Sequence, residues 1–276
     1  YEKSLTGSKA NYNTYTKTEA VLNISMERSF YEGRLRTLIG CEIANINLST
    51  PLNDSSSLLH QDAKTNKNLG FGRNRLVIAQ AALIYDTRNL ETDPSKGSFA
   101  ELTGELSLIA LGSQFNFNKA FFHYNLYQPV LPKIFKRLTF AGRIGMVYTE
   151  GNAPLYEYDD AWGSEATTDM LGGGTTLRGY KRSRFLAHVI QFTNLELRWR
   201  FAQAKILKQH LAFSAVPFFD AGGVWDSLSN LNRYKNFRCS EGLGLRIAWN
   251  VNTILRFDYA LSQEDRQFFF SLKHAF

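Results

Sequence analysis

The chain has 276 residues, with 32 Lys and Arg against 25 Asp and Glu for a formal charge of +7, and it is 44% apolar and 14% aromatic. It has no uncharged apolar run of about 18 residues, which excludes a membrane-crossing helix but leaves a membrane-crossing barrel open, because barrel strands alternate and dilute the average. The basic excess is spread along the chain rather than gathered in a tail, which points to lipopolysaccharide or phospholipid head groups as neighbours; nucleic acid is not an expected partner.

Residues 1 to 13, YEKSLTGSKANYN, have neither the basic start nor the apolar run of a secretory leader, so any signal peptide is expected to be already removed or outside this chain. From Tyr15 onward, segments of roughly ten residues alternate apolar with polar or small side chains, as membrane-spanning strands do. Eleven strands are predicted, near 15–30, 34–48, 74–86, 98–110, 118–130, 137–148, 189–202, 210–225, 240–250, 253–262 and 266–276.

Each strand has two faces. Ala20, Leu22, Ile24 and Met26 oppose Asn23, Ser25 and Glu27; Leu102, Leu106 and Leu108 oppose Glu101, Thr103 and Glu105; Phe140, Ile144, Met146 and Tyr148 oppose Arg143. Leu195, Leu197, Trp199 and Phe201 oppose Asn194, Glu196, Arg198 and Arg200; Leu243, Leu245, Ile247 and Trp249 oppose Gly242, Gly244 and Arg246. Leu255, Phe257, Tyr259 and Leu261 oppose Arg256, Asp258 and Ala260; at the end Phe268, Phe270, Leu272 and Phe276 share one side and Ser271, Lys273 and Ala275 the other. The apolar sets are expected to face lipid and the polar sets a lumen.

A soluble sandwich also alternates, so the connections matter. They are short at YEGR (31–34) and WNVNT (249–253) and long near 50–73, 149–187 and 226–240, the two-rim asymmetry of an outer-membrane barrel. The fold expected is all-β, a transmembrane antiparallel up-and-down barrel. An odd strand count is awkward for a single-chain bacterial barrel, and it places the start at the long-loop rim. The chain is therefore expected to be the C-terminal part of a barrel, with 11–12 strands present here and the N-terminal strands and any periplasmic domain outside it.

Candidate chemistry is sparse. The stretch GGGTTLRGYKRSRF (172–185) does not fit a phosphate loop, which needs a Lys-Ser/Thr pair opening a helix. His60, His123, His188, His210 and His274 lack metal-ligand spacing, no nucleophile elbow or HExxH occurs, and neither a cofactor nor enzymatic activity is expected. Cys41 and Cys239 are expected to be free. Glu101 and Glu105 are expected to pair with Arg143 or a similar neighbour.

Four blocks resemble the barrel half of the outer-membrane assembly superfamily, the BamA/TamA family. They are YDTRN with DPSKGS (85–98), GGGTTLRGY (172–180), VPFFDAGGVW (216–225), and GLGLRIAWNVNTILRFDYA (242–260) with terminal Phe276. The resemblance implies a total of about sixteen strands in the complete barrel. It also implies that the sixth loop folds into the lumen, with Arg178, Gly179 and Tyr180 as its core and Glu196 and Asp220 as partners of Arg178. Gly172, Gly173, Gly174 and Gly179 would let the loop turn tightly and approach the wall. Lys181, Arg182 and Arg184 could extend this network or be solvated, with solvation expected for Lys181. Asp86, Arg88, Pro94 and Gly97 would form a rim motif and Phe276 an assembly signal.

As to function, the resemblance implies insertion or translocation of proteins at the outer membrane of a Gram-negative bacterium, with client outer-membrane or secreted proteins and accessory lipoproteins as partners. A second reading is a membrane anchor or export pore for a fused patatin-like or metallophosphoesterase domain. The periplasmic POTRA repeats that receive substrate in the family are absent from this chain.

Overall fold

Period-two alternation puts every second side chain on the same face, so strands of this kind bury one face only by lying side by side in one sheet. The computed structural model describes residues 15–49, 70–135, 137–207, 209–231, 237–250 and 253–276. Its strands are β1 (Thr16–Phe30), β2 (Leu35–Ser49), β3 (Gly72–Asp86), β4 (Gly97–Ser107), β5 (Phe117–Pro129) and β6 (Leu138–Gly151). A long loop follows, carrying the two-residue strands β7 (Asp160–Ala161) and β8 (Thr168–Asp169). After it come β9 (Val189–Ile206), β10 (Gln209–Trp225), β11 (Arg238–Trp249), β12 (Thr253–Ser262) and β13 (Arg266–Ser271).

The eleven long strands form one antiparallel up-and-down sheet in chain order, with β1 and β13 at its ends, and β7 and β8 pair with each other. All but β13 have 10 to 18 residues, enough to cross a bilayer at a tilt. The expected long connection at 50–73 lies mostly outside the described residues, as does His60.

The outer face is greasy. Ile24, Trp249 and Phe268 are 66%, 46% and 64% exposed, and Leu197, Phe201 and Leu243 join them. Phe257 sits among these side chains, its ring 5.1 Å from that of Phe270. Both cysteines are exposed and free. The inner face of β9 to β12 buries Asn194, Glu196, Arg198, Asp220, Arg246, Arg256 and Asp258.

One expectation changes here, and the inner wall is not uniform. On β2 and β3 the inner face is largely apolar beside Glu42 and Gln80: Ala44, Ile46, Leu48, Leu76 and Ile78 form a buried cluster with Phe117 and with Tyr156 of the loop. The loop lies over this stretch, so its inward side chains exchange water for apolar contact. The last strand also stops early. β13 pairs with β12 only across Arg256–Leu261, and residues 272–276 leave the ladder. Phe276 therefore does not share the lipid face with Phe268 and Phe270. Its ring lies 4.9 Å from the Arg143 guanidinium and 5.2 Å from that of Arg198, and 6.5 Å from the Tyr127 ring, while its main-chain oxygen accepts from Arg198 Nη2 at 3.0 Å. Cation–π attraction and this charge-assisted bond hold it inside.

Candidate functional site

The loop between β6 and β9 reaches the inner wall because its sequence lets it turn back on itself. Gly172 has φ +120°, and a Cβ there would lie 2.3 Å from the Lys181 carbonyl oxygen, so only glycine fits the close crossing of the two limbs. Thr176 Oγ1 donates to the Met170 carbonyl at 2.6 Å and accepts from the Gly172 N–H at 3.1 Å, which fixes the bend. Met170, Leu171, Leu177, Tyr180 and Phe185 then pack against Phe121, Val147, Ile190, Phe192 and Val224.

Arg178 projects from this bend with no exposed surface. Its Nε and Nη2 form a fork with the two oxygens of Asp220, each at 2.8 Å, and its own N–H also donates to Asp220 at 3.0 Å. Nη1 donates to Glu196 at 2.7 Å and to Asp258 at 3.1 Å. The guanidinium lies 3.6 Å from the centre of the Phe218 ring. Asn194 Nδ2 bridges the Thr176 carbonyl and Asp220, both at 2.8 Å. Arg198 and Arg246 contact Glu196 at 2.9 and 3.5 Å, and Arg246 and Arg256 flank Asp258. Four guanidinium groups thus face three carboxylates, an excess of one positive charge. Gly179 follows at φ +92°, and its carbonyl accepts from Ser262 Oγ at 2.7 Å. Tyr180 is buried with its ring edge-on to Phe185 at 5.4 Å.

The structure therefore brings Arg178, Gly179, Tyr180, Glu196 and Asp220 together. Asp258, Arg198, Arg246 and Arg256 complete the cluster, and these were missing from the site expected from sequence. The inward alternation of β9, β11 and β12 was the available signal, since all four fall on the polar register.

The outgoing limb of the loop seats on the other side of the lumen. Lys119 Nζ donates to Glu157 at 3.0 Å and lies 3.6 Å from Glu105. Thr103 Oγ1 donates to the Trp162 carbonyl at 3.0 Å, and the Ser164 N–H donates to Glu101 at 2.7 Å. Glu101 and Glu105 were expected to pair with Arg143 or a similar neighbour; Arg143 pairs with neither, and the similar neighbour for Glu105 is Lys119. Glu101 lies 2.9 Å from His123 Nε2, and Arg143 instead donates to Asn194 Oδ1 and to the Thr175 carbonyl. The aromatic faces of Phe192 and Phe276, both 4.9 Å from its guanidinium, take the place of a carboxylate.

At the short-turn rim, Arg88 forms a fork with Asp86 at 3.0 and 2.8 Å and also binds Glu165 from the loop. Pro94 is buried, and Gly97 takes φ +104° where a Cβ would lie 2.2 Å from the Thr87 oxygen. Nearby, His274 Nε2 lies 3.2 Å from Asp93. Burial, reinforced by the Arg198 cation, pushes His274 down to about 4. Burial raises Asp93, but its hydrogen bond with His274 and the Arg200 cation outweigh it and leave the carboxyl at about 2. Lys181 is exposed; Arg182 pairs with Asp169 at 2.8 Å and Arg184 with Glu264 at 3.0 Å. Among the described residues no group of three or more His, Cys, Asp or Glu could hold a metal ion.

Comparison with known proteins adds three findings. The Omp85 superfamily domain model matches residues 2–276. The outer membrane protein assembly factor BamA of Nitratidesulfovibrio vulgaris (strain Hildenborough) is 24% identical over 186 residues, covering 63% of this chain and 22% of its own length. The solved structure of BamA from Haemophilus ducreyi lacking POTRA domains 1-3 matches with a TM-score of 0.65 at 17% identity, covering 92% of this chain and 54% of that one. The chain thus spans about a fifth of the curated relative and about half of the solved chain.

Proposed function

The chain belongs to the Omp85 superfamily, and on that premise we propose that this outer-membrane β-barrel acts, without catalysing a reaction, in the insertion or translocation of polypeptides at the outer membrane. The observation that carries the reading is the buried Arg178, held by carboxylates from β10, β9 and β12. It fastens the long loop to the wall next to the β13 end of the sheet, so that end can part from a neighbour while the lumen stays filled.

The edge itself supplies the driving chemistry. β13 pairs with β12 over six residues, where β1 and β2 pair over fifteen. A short, weakly held edge strand offers unpaired N–H and C=O groups on which an incoming strand can form its own ladder. In this reading Arg178, Gly179, Tyr180, Glu196 and Asp220 lock the loop, Asp86, Arg88, Pro94 and Gly97 brace the short-turn rim, and Phe276 serves as the assembly signal. Client outer-membrane or secreted proteins, accessory lipoproteins and lipopolysaccharide are the partners proposed.

The test is direct. Protein reconstituted in liposomes should speed the folding of a test barrel, read as heat-resistant mobility on a gel against time. Folding no faster than with empty liposomes would defeat the proposal and favour an anchor or export pore.

A further inference from the structure

A cavity of about 410 Å³ opens at the short-turn rim between the β3–β4 and β5–β6 connections, and the functional reading above makes no use of it. Its charged and titratable lining is Arg137, Arg198, Arg200, His274 and Asp93, so three guanidinium groups face one carboxylate. Asp93 is already engaged by Arg200 and His274. Two donors are buried with no partner: Nη1 of Arg198, a residue 5% exposed, and Nε of Arg200. Leaving a buried charged donor unpaired costs more than leaving a neutral one so, and these atoms fit an anionic oxygen that completes the set.

A third unpartnered atom narrows the class. His274 is 9% exposed and its Nδ1 has no partner. With Nε2–H donating to the Asp93 carboxylate, Nδ1 carries a lone pair and needs a donor. A ligand that satisfies all three atoms must offer an anionic oxygen and an N–H or O–H side by side. A polypeptide with an acidic side chain does so, its carboxylate meeting the two guanidinium groups and a backbone N–H meeting the imidazole. The walls suit a chain as well, since Leu90, Pro94, Pro129 and Pro132 line the same space.

We infer that this cavity is a binding site for an acidic polypeptide segment, held by Arg198 and Arg200 through its carboxylate and by His274 through its backbone. The site lies on the lumenal side, because Arg198, Arg200 and Ser214 point inward from β9 and β10, and so it meets a soluble segment and not a lipid tail.

The experiment uses the chain in detergent micelles and a fluorescent blocked tri-aspartate peptide, with fluorescence anisotropy as readout. The tri-aspartate peptide should bind at least about tenfold more tightly than its tri-asparagine counterpart, the ratio expected for losing a charge-assisted bond. Arg200→Gln and the exposed Arg137→Gln should each weaken it, whereas Lys181→Gln, the same charge change on the loop, should not. Equal binding of the two peptides, or equal weakening by Lys181→Gln, would overturn the site. So would inorganic phosphate binding in place of the peptide, with the same dependence on Arg200. Should Arg200→Gln misfold, Arg137→Gln decides alone. None of these outcomes depends on the liposome folding assay, so the site and the proposed function can fail separately.

Discussion

The two limbs of the loop meet two kinds of wall. The outgoing limb lies over β2, β3 and β5, where Tyr156 enters an apolar cluster and the polar contacts are scattered pairs such as Lys119 with Glu157. The returning limb meets β9, β10 and β12, where one guanidinium satisfies three carboxylates. The first wall holds by area, which tolerates sliding; the second holds by directed bonds, which fix one position. A single loop thus has a soft seat and a hard one.

Breaking the hard seat should cost most. Arg178→Ala leaves Asp220, Glu196 and Asp258 buried with their charge uncompensated by the loop, and loss of one partner of a buried pair costs about 3–5 kcal/mol. Melting followed by heat-modified gel mobility should drop sharply; an unchanged transition would mean that the pairing contributes nothing. On the soft side, Tyr156→Ala should cost about 3 kcal/mol through the cavity it leaves. High salt should not change that loss, and a salt-dependent loss would show that charge, not packing, holds this limb.

Acid should act on the inward tail. A histidine held at about 4 when docked and near its ordinary 6.5 when free binds a proton more readily in the free state. Docking of residues 272–276 should therefore be constant above pH 6.5 and weaken as pH falls toward 4, while Asp93, at about 2, stays ionised throughout. Cysteine placed at Leu272 and labelled with an environment-sensitive dye would report it, and a signal flat from pH 7 to pH 4 would refute the assignment. The smallest effect belongs to the rim. Glu165→Gln removes a partly exposed partner of Arg88 and Arg36 and should cost less than about 1 kcal/mol, all of it lost in high salt.

Much of this was legible beforehand. Strand limits read from alternation agree with the structure to within a few residues for β1, β2 and β12, because a one-residue slip would turn every side chain to the wrong face. The partners Glu196 and Asp220 could be named because their register faces inward. The early stop of β13 was not legible, since Phe268, Phe270 and Leu272 keep the period while the hydrogen-bond ladder ends at Ser271. Nor was the apolar lining at Ile46, Leu48, Leu76 and Ile78: period two holds there, but with Asn45, Asn47 and Ser49 on the exposed face and the apolar set turned inward under the loop, the reverse of the lipid-facing rule. The surroundings of Arg143 were not legible either, since pairing rules for charge ignore aromatic faces, two of which hold it here.

The span of the loop from one wall to the other has a mechanical meaning. Twist and thermal bending leave the curvature of a β-sheet soft. Tied at Glu157 and Glu165 on one flank and at Arg178 on the other, the loop acts as a strut whose length sets the radius of that curve.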